Sequence, residues 1–297
     1  MRCAGRPLRK ARSPDMAFQP VVPLSGIGGW KFLQATYDKQ LESYTNSPQV
    51  RNDRDYMIEK FAQPISVEDF LKDSRLVRVT MTAFDLAGEE WKKGFIKKTL
   101  EEVSDPESTF LARLNNPKYT ALANALKPVN DTISLDVDDI AAMAVRFESN
   151  SFEIAVGDVD DSMRLSLNYK SEINTIVGSG ANEDSIAYRL MADIPAYTVV
   201  RSALNLPSDM SNLPVERQAE MIKDGLKKAL GVSKLSEISS PEAVDKMIVR
   251  YHAMKSISEG AAAYSPASAA LILLGGGDSS YGYGSGASQN LFLSSFL

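Results

Sequence analysis

Helical periodicity over residues 137–176 constrains the fold of this chain more than any other feature. Apolar side chains recur there at three- and four-residue steps, which is the spacing of one face of an α-helix. Gly157 and Asp158 lie inside this stretch, and glycine there favours a break or a kink. We therefore predict two helices, or one long bent helix, at the centre of the molecule.

Helix start signals occur along much of the remaining chain, while the alternation typical of a β-strand is almost absent. They comprise prolines placed for a first helical turn and a capping-box spacing: Pro48, Pro117, Pro241 and Ser66-Val-Glu-Asp69. Together they predict an all-α fold, an irregular or orthogonal multi-helix bundle.

Residues 91–103 predict a surface helix. Lysines form one face of this segment, and flanking glutamates favour ordinary surface pairing. The opposite face carries large apolar residues at helical spacing, which predicts a buried seam: Trp91, Phe95, Ile96, Leu100 and Val103.

A weak internal repeat is visible. Ala83-Phe-Asp-Leu86 resembles Ala203-Leu-Asn-Leu206 at an offset of 120 residues. Leu114-Asn-Asn-Pro117 resembles Ile238-Ser-Ser-Pro241 at an offset of 124 residues. Coincidence among helical sequences is the alternative explanation. A genuine repeat would give two related helical halves, residues 16–130 and 181–260, around the central segment.

Composition divides the chain into a body and two ends. Residues 1–15 carry a net charge of +4 within the total of −5, so the remainder carries −9. We predict a disordered leader over residues 1–15, with Met16 as the true start. A single helical domain is expected over residues 16–274, followed by a flexible Gly/Ser/Tyr tail over residues 275–297.

The acidic body argues against nucleic-acid binding, which needs clustered lysine and arginine. The leader lacks the apolar centre of a secretory signal. No stretch reaches the roughly 18 apolar residues that span a bilayer. Cys3 is the only cysteine, which excludes an intrachain disulfide and a cysteine-rich metal site.

Gly26-Ile-Gly-Gly29 has the glycine content of a phosphate-binding loop. The third glycine of a dinucleotide fingerprint would fall at Lys31, and Val21-Val-Pro23 is too short for the preceding buried strand. We interpret these glycines as a flexible lead into the first helix, with Trp30 as its first buried residue.

His252 is the only histidine, so most acid–base and nucleophilic mechanisms lack their usual residue. It lies beside Tyr251 on a predicted helix, where we expect a surface or partly packed side chain. We predict no catalytic residue, no cofactor and no metal ligand.

Two Asp-Val-Asp-Asp tracts suggest hard-metal ligands or a carboxylate site. Neither has the spacing of a calcium-binding loop, and each precedes an apolar helical run, where aspartate caps the helix. We therefore interpret both as capping tracts. An enzyme acting on a small ligand is the least favoured function, and it would need carboxylates from both tracts in one pocket: Asp136, Asp138, Asp158 and Asp160.

The C-terminal tail carries aromatic residues that could anchor it to a partner: Tyr281, Tyr283, Phe292 and Phe296. Disorder of the tail is the alternative.

Six segments carry a resemblance to a known family: Phe18-Gln-Pro-Val-Val-Pro-Leu-Ser-Gly26, Gly29-Trp-Lys-Phe-Leu33, Asp53-Arg-Asp-Tyr56, Leu76-Val-Arg-Val79, Phe152-Glu-Ile-Ala-Val-Gly157 and Met163-Arg-Leu-Ser-Leu-Asn168. With them the chain resembles the domain-of-unknown-function 1217 family of alphaproteobacteria, whose members are commonly encoded among flagellar genes. The resemblance covers residues 16–273. It implies a mainly α fold and a role in flagellar assembly or function, and it transfers no catalytic residue.

We therefore expect a non-enzymatic, flagellum-associated structural or assembly protein that acts through protein–protein contacts. It would be cytoplasmic or exported by the flagellar secretion apparatus. The alternative is a cytoplasmic chaperone-like or regulatory adaptor that holds an exported helix in a groove.

Overall fold

A computed structural model describes residues 18–263, apart from 104, 106, 115 and 179–181. The described helices are α1 (Gly26–Thr45), α2 (Pro48–Phe61), α3 (Val67–Lys72), α4 (Ser74–Ala83), α5 (Lys93–Glu102), α6 (Phe110–Leu114), α7 (Pro117–Leu126), α8 (Val137–Val159), α9 (Asp161–Val177), α10 (Glu183–Ala192), α11 (Ile194–Ala203), α12 (Val215–Leu230) and α13 (Pro241–Ala263). Short strands β1 (Ile65–Ser66) and β2 (Thr132–Ile133) pair antiparallel. The prediction of an all-α multi-helix bundle is confirmed.

Local capping chemistry places several helix starts where the sequence predicts them. Pro48, Pro117 and Pro241 each occupy the first residue of a helix, where a missing backbone N–H costs nothing. The Ser66 hydroxyl accepts a hydrogen bond from the Asp69 amide at 3.0 Å and begins α3. These short-range contacts explain why the predicted and observed boundaries agree here.

The central periodic stretch forms the two helices α8 and α9. The side chains of Asp136 and Asp160 cap them, accepting from the amides of Asp139 and Ser162 at 2.8 and 2.9 Å. The predictions of helix capping and of two helices are thus confirmed, and the break lies at Asp160, two residues after the predicted Gly157-Asp158. Glycine is needed at position 157 for space, since a Cβ on Gly157 would lie 2.4 Å from Arg164 Cδ.

The glycine cluster at the start of α1 is helical, contrary to the expected flexible lead. Gly26 begins the helix and Gly29 lies in its first turn, where a Cβ would stand 1.8 Å from the Leu24 carbonyl oxygen. The chain therefore needs glycine for close backbone approach. Trp30 follows and is 1% exposed, which confirms it as a buried anchor.

The predicted buried seam of the lysine-rich helix is only partly correct. Ile96 and Leu100 are buried, but α5 begins at Lys93, and Trp91 lies before it with 77% of its surface exposed. A turn precedes the helix, in which the Lys92 amide donates a hydrogen bond to the Glu89 carbonyl oxygen. The Lys92 ammonium also donates to the Glu89 carboxylate, which stabilises this turn. Trp91 therefore points away from the core.

Two hydrophobic cores form, and α8 contributes to both. Its N-terminal part supplies Met143 and Phe147 to the first core, which includes α2, α3, α4, α5 and α7. Its C-terminal part supplies Phe152 and Val156 to the second core, which includes α1 and α9 to α13. Burying one such phenylalanine stabilises the fold by roughly 1.5–3 kcal/mol.

The first pair of matching segments in the sequence has the same local structure in both copies. Asp73 and Asp193 cap the ten-residue helices α4 and α11, and Asp85 and Asn205 end them with φ of 54° and 53°. The first helix packs on α8 and the second on α9. Residues 120 apart in the chain thus share the same helix cap and the same helix end.

Two units can be distinguished in the chain, Met1–Met254 and Lys255–Leu297. The packing described above lies within the first unit. In the second unit, the Lys255 ammonium lies 3.7 Å from the Glu259 carboxylate. Among the residues that the structure describes, no helix combines the length and apolarity needed to cross a bilayer.

Candidate functional site

A cleft of about 200 Å³ lies between the two cores, and we call it the acidic cleft. Five polar side chains line it: Asp85 from the segment after α4, Lys118 from α7, Glu153 from α8, and Arg164 and Asn168 from α9. The lining residues are Asp85, Ala87, Lys118, Glu153, Ile154, Arg164, Leu165, Asn168 and Pro195.

Lys118 forms the central ion pair of the cleft. Its ammonium contacts the Asp85 carboxylate directly and lies 3.9 Å from Asp193 Oδ2. Burial lowers the pKa of Lys118, but these carboxylates outweigh burial, so the net shift is upward. Lys118 is therefore a charged, paired ammonium, and it joins α7 of the first half to the start of α11 in the second.

Arg164 crosses the face of α8 above Gly157. Its Nε lies 3.4 Å from Asp161 Oδ1, and its side chain is 39% exposed. The space left by Gly157 lets this guanidinium reach the mouth of the cleft.

Glu153 is the most unusual group in the cleft. It is 8% exposed, and none of the hydrogen bonds or ion pairs found in the described ranges involves its carboxyl group. Burial, followed by the nearby charges of Asp85 and Glu172, raises the pKa of Glu153 to about 8. Burial is also the main reason that the pKa of Glu172 is raised.

Asn168 supplies a second acceptor. Its Nδ2 donates to Asp85 Oδ2 at 3.4 Å, which fixes the orientation of the amide. Its Oδ1 is buried and has no hydrogen-bond partner within the described part of the chain. A buried acceptor without a partner is costly, so Asn168 Oδ1 is an exception among the buried polar atoms.

An open groove adjoins the cleft and separates α6 and α7 from α9, α10 and α11. It comprises depressions of about 690 and 470 Å³ that share Asn116, Pro117, Ala192 and Asp193. We call it the junction groove. Its apolar lining is Leu86, Leu111, Leu114, Pro117, Ala121, Ile176, Ala192, Ile194 and Pro195. Ile194 is 74% exposed.

The carboxylate site considered from the sequence is not formed. Asp136 caps the start of α8, and Asp160 lies at the other end of α8, where it caps the start of α9. The 23 residues of α8 separate them by roughly 35 Å. Asp138 and Asp158 are exposed on their helices. These four carboxylates do not converge in one pocket, and within the described ranges no group of three or more histidine, cysteine, aspartate or glutamate residues is placed to hold a metal.

The predicted docking residues of the tail, Tyr281, Tyr283, Phe292 and Phe296, lie outside the described residues. The junction groove and the acidic cleft lie within them, in the first unit.

His252 is not at the surface, contrary to expectation. It is fully buried, stacks on Trp30 with ring centroids 6.1 Å apart, and shares a hydrogen bond of 3.0 Å with Ser166 Oγ. This contact ties α13 to α1 and α9. The prediction of a surface position was wrong because the helix face that carries His252 packs into the second core, which the local sequence does not show.

The sequence did not predict the residues of the cleft, although it contained signals that pointed to three of them. Glu153 and Asn168 belong to two of the segments that carry the family resemblance, and Asp85 belongs to the internal repeat. Glu153 also lies on the apolar face of α8 next to Phe152, where a carboxylate is out of pattern. What the sequence could not show is that these residues meet.

Comparisons with known proteins agree with the fold. No curated protein matches the chain significantly. A crystal structure of an Agrobacterium tumefaciens protein, determined as a structural genomics target, superposes with a TM-score of 0.62. The two chains are 23% identical over 81% of this chain and 99% of the other, which shows a shared fold. A family model described as "Protein of unknown function (DUF1217)" matches residues 83–244, and the chain belongs to that family.

Proposed function

We propose that the protein is a non-enzymatic structural or assembly component of the flagellum that acts through protein–protein contacts. The junction groove is its docking surface in this proposal. The flagellar association is supported by the segments that resemble the family, whereas the mode of action is supported by the groove.

The observation that carries the docking proposal is the exposed Ile194 side chain in the groove. Ile194 lies 74% exposed next to Pro195, at the first turn of α11. The same depression is lined by apolar residues and by charged or polar ones: Leu86, Leu114, Pro117, Ala192, Asp85, Glu89, Asn116, Lys118 and Asp193. The two depressions of the groove have the volume of several large side chains, which is the scale at which a partner helix inserts its anchors. Exposed apolar surface of this kind is typical of a binding site.

The charges that line the groove indicate what kind of partner it binds. Carboxylates outnumber cations in the lining of the groove, which contains Asp85, Glu89, Glu172 and Asp193 against Lys118 and Arg189. The chain after residue 15 carries a net charge of −9. The occupant that fits is a helical segment of another protein with apolar anchors and flanking basic residues, because opposite charges favour association.

A matched pair of variants tests the groove. Ile194 and Val137 are both first residues of helices capped by aspartate, and they are 74% and 80% exposed. Ile194→Asp should abolish capture of flagellar rod, hook or filament proteins from cells that make this protein. Val137→Asp should leave capture unchanged, and both variants should fold.

Gene deletion gives an independent test. We expect deletion to impair swimming or reduce flagellar number, and complementation with Ile194→Asp should fail to restore either. Unchanged swimming and flagellar number would contradict the flagellar role. Capture of one soluble client, with no flagellar structural protein, would favour the adaptor function instead.

A further inference from the structure

The acidic cleft brings together the unpaired carboxyl group of Glu153 and the unpartnered amide oxygen of Asn168. The Glu153 carboxyl group has no hydrogen bond among those found between described residues, and Asn168 Oδ1 is buried without a partner. Both side chains are more than nine-tenths buried and line the same cleft. A buried acceptor is normally satisfied, so the unpartnered Asn168 Oδ1 beside the unpaired Glu153 carboxyl group points to a missing donor.

The cations that line the cleft are already paired with other carboxylates. Lys118 contacts Asp85 and approaches Asp193, and Arg164 Nε faces Asp161 at 3.4 Å. Glu153 and Glu172 are left without an ion-pair partner within the described ranges. Ionisation of Glu153 therefore adds a negative charge that has no ion-pair partner within the described ranges.

We infer that the acidic cleft binds an organic cation, a primary ammonium or guanidinium group, with Glu153 and Asn168 as its acceptors. Such a group carries positive charge together with several N–H donors, which matches a carboxylate beside an amide oxygen. The cleft volume of about 200 Å³ accommodates the end of a lysine or arginine side chain or a small free amine. A divalent metal fits less well, because no set of three or more ligating residues is found where the structure describes the chain.

The charged state of Glu153 couples this binding to pH. Its pKa is raised to about 8 by burial, with Asp85 and Glu172 adding to the shift and Arg164 and Lys118 opposing it. The phenol of Tyr37 on α1 also lies within electrostatic range. Cation binding requires the ionised carboxylate, so affinity should rise from pH 6 to pH 9 and then level off. A guanidinium probe keeps its own charge over this range.

This inference does not rest on the proposed function, because small probes measure it without any flagellar protein. The experiment is calorimetric titration of the full chain with ethylguanidinium chloride at constant ionic strength. Tetramethylammonium chloride is the control cation, because it has the same charge and no N–H donor. We expect saturable binding of ethylguanidinium and none of tetramethylammonium.

Variants locate the site. Glu153→Gln keeps the shape of the protonated side chain, so it should fold and weaken ethylguanidinium binding by roughly tenfold or more, since a charge-assisted hydrogen bond is lost. The remaining affinity should no longer depend on pH. Glu59→Gln, at an exposed glutamate of α2, should bind like the unmodified protein.

Two further titrations distinguish a protein side chain from a small free amine as the natural ligand. A Gly-Ser-Arg-Ser-Gly peptide that binds at least as tightly as free ethylguanidinium would indicate a protein side chain, and preference for free propylammonium would indicate a small amine. Failure to saturate below about 20 mM, equal binding of tetramethylammonium, or unchanged affinity in Glu153→Gln would overturn the assignment.

Discussion

Asp85 and Asn205 lie 120 residues apart in the chain and adopt the same left-handed backbone conformation, with φ of 54° and 53°. In each case the amide of the next leucine donates to a carbonyl five residues back, Met81 O at 2.8 Å and Arg201 O at 2.9 Å. This is the hydrogen bond of a Schellman helix end. The two sites differ in their side chains, because Asp85 pairs with Lys118 whereas Asn205 is exposed.

Glycine substitution should separate backbone and side-chain roles at these two sites. Asn205→Gly should change stability by less than about 0.5 kcal/mol, because glycine adopts positive φ freely. Asp85→Gly should cost about 2 kcal/mol, because it leaves Lys118 without its nearest counterion. Chemical denaturation measures both. Equal effects at the two sites would show that the ion pair contributes nothing.

The pH dependence of stability should report Glu153. Its folded-state pKa is about 8 against an ordinary value of 4.5, so the folded protein holds this proton where the unfolded chain has lost it. Stability should therefore fall as pH rises from about 4.5 to 8, by up to about 5 kcal/mol. Glu153→Gln should remove most of this fall in urea denaturation series, while Glu59→Gln should keep it.

Gly29 should tolerate no side chain. A Cβ there would meet the Leu24 carbonyl oxygen at 1.8 Å and Met163 Cε at 2.8 Å, so Gly29→Ala should cost about 1–3 kcal/mol or more. The neighbouring Gly28 has only ordinary contacts, the nearest at 3.5 Å to Leu24 Cδ1. Gly28→Ala should be neutral or stabilise by up to about 1 kcal/mol. Thermal melts should show a lower Tm for Gly29→Ala and an unchanged or higher Tm for Gly28→Ala.

Asp53 should be a stabilising residue of the first half. It is 7% exposed and binds Arg75 Nε at 2.8 Å and Arg78 Nη2 at 2.7 Å, which ties α2 to α4. Asp53→Asn should cost about 2 kcal/mol, since two charged hydrogen bonds weaken. Asp55→Asn is the control, because Asp55 is exposed and its pairing with Arg54 contributes less than about 1 kcal/mol. Similar losses in both variants would contradict this role.

The sequence by itself determined the helices and most of their starts. Ser66, Asp136 and Asp160 accept hydrogen bonds from amides two or three residues further along, and Pro48 has no backbone N–H that needs a partner. The information needed to place these helix starts is therefore local. The 120-residue repeat was visible for the same reason, because a helix end at Asp85 or Asn205 depends on a few adjacent residues. Trp30 was recognisable as buried from its size and periodicity.

Only the tertiary structure decided which of these elements meet. Glu153 and Asn168 lie on different helices, and Asp85 and Lys118 come from distant segments, yet all four line one cleft. Trp91 and His252 show the same limit, because periodicity describes a helix face but does not say which faces pack together. Burial in the space between two cores gives Glu153 its raised pKa and gives Asn168 an acceptor without a donor. These are properties of the assembled fold, since desolvation depends on residues far away in the chain.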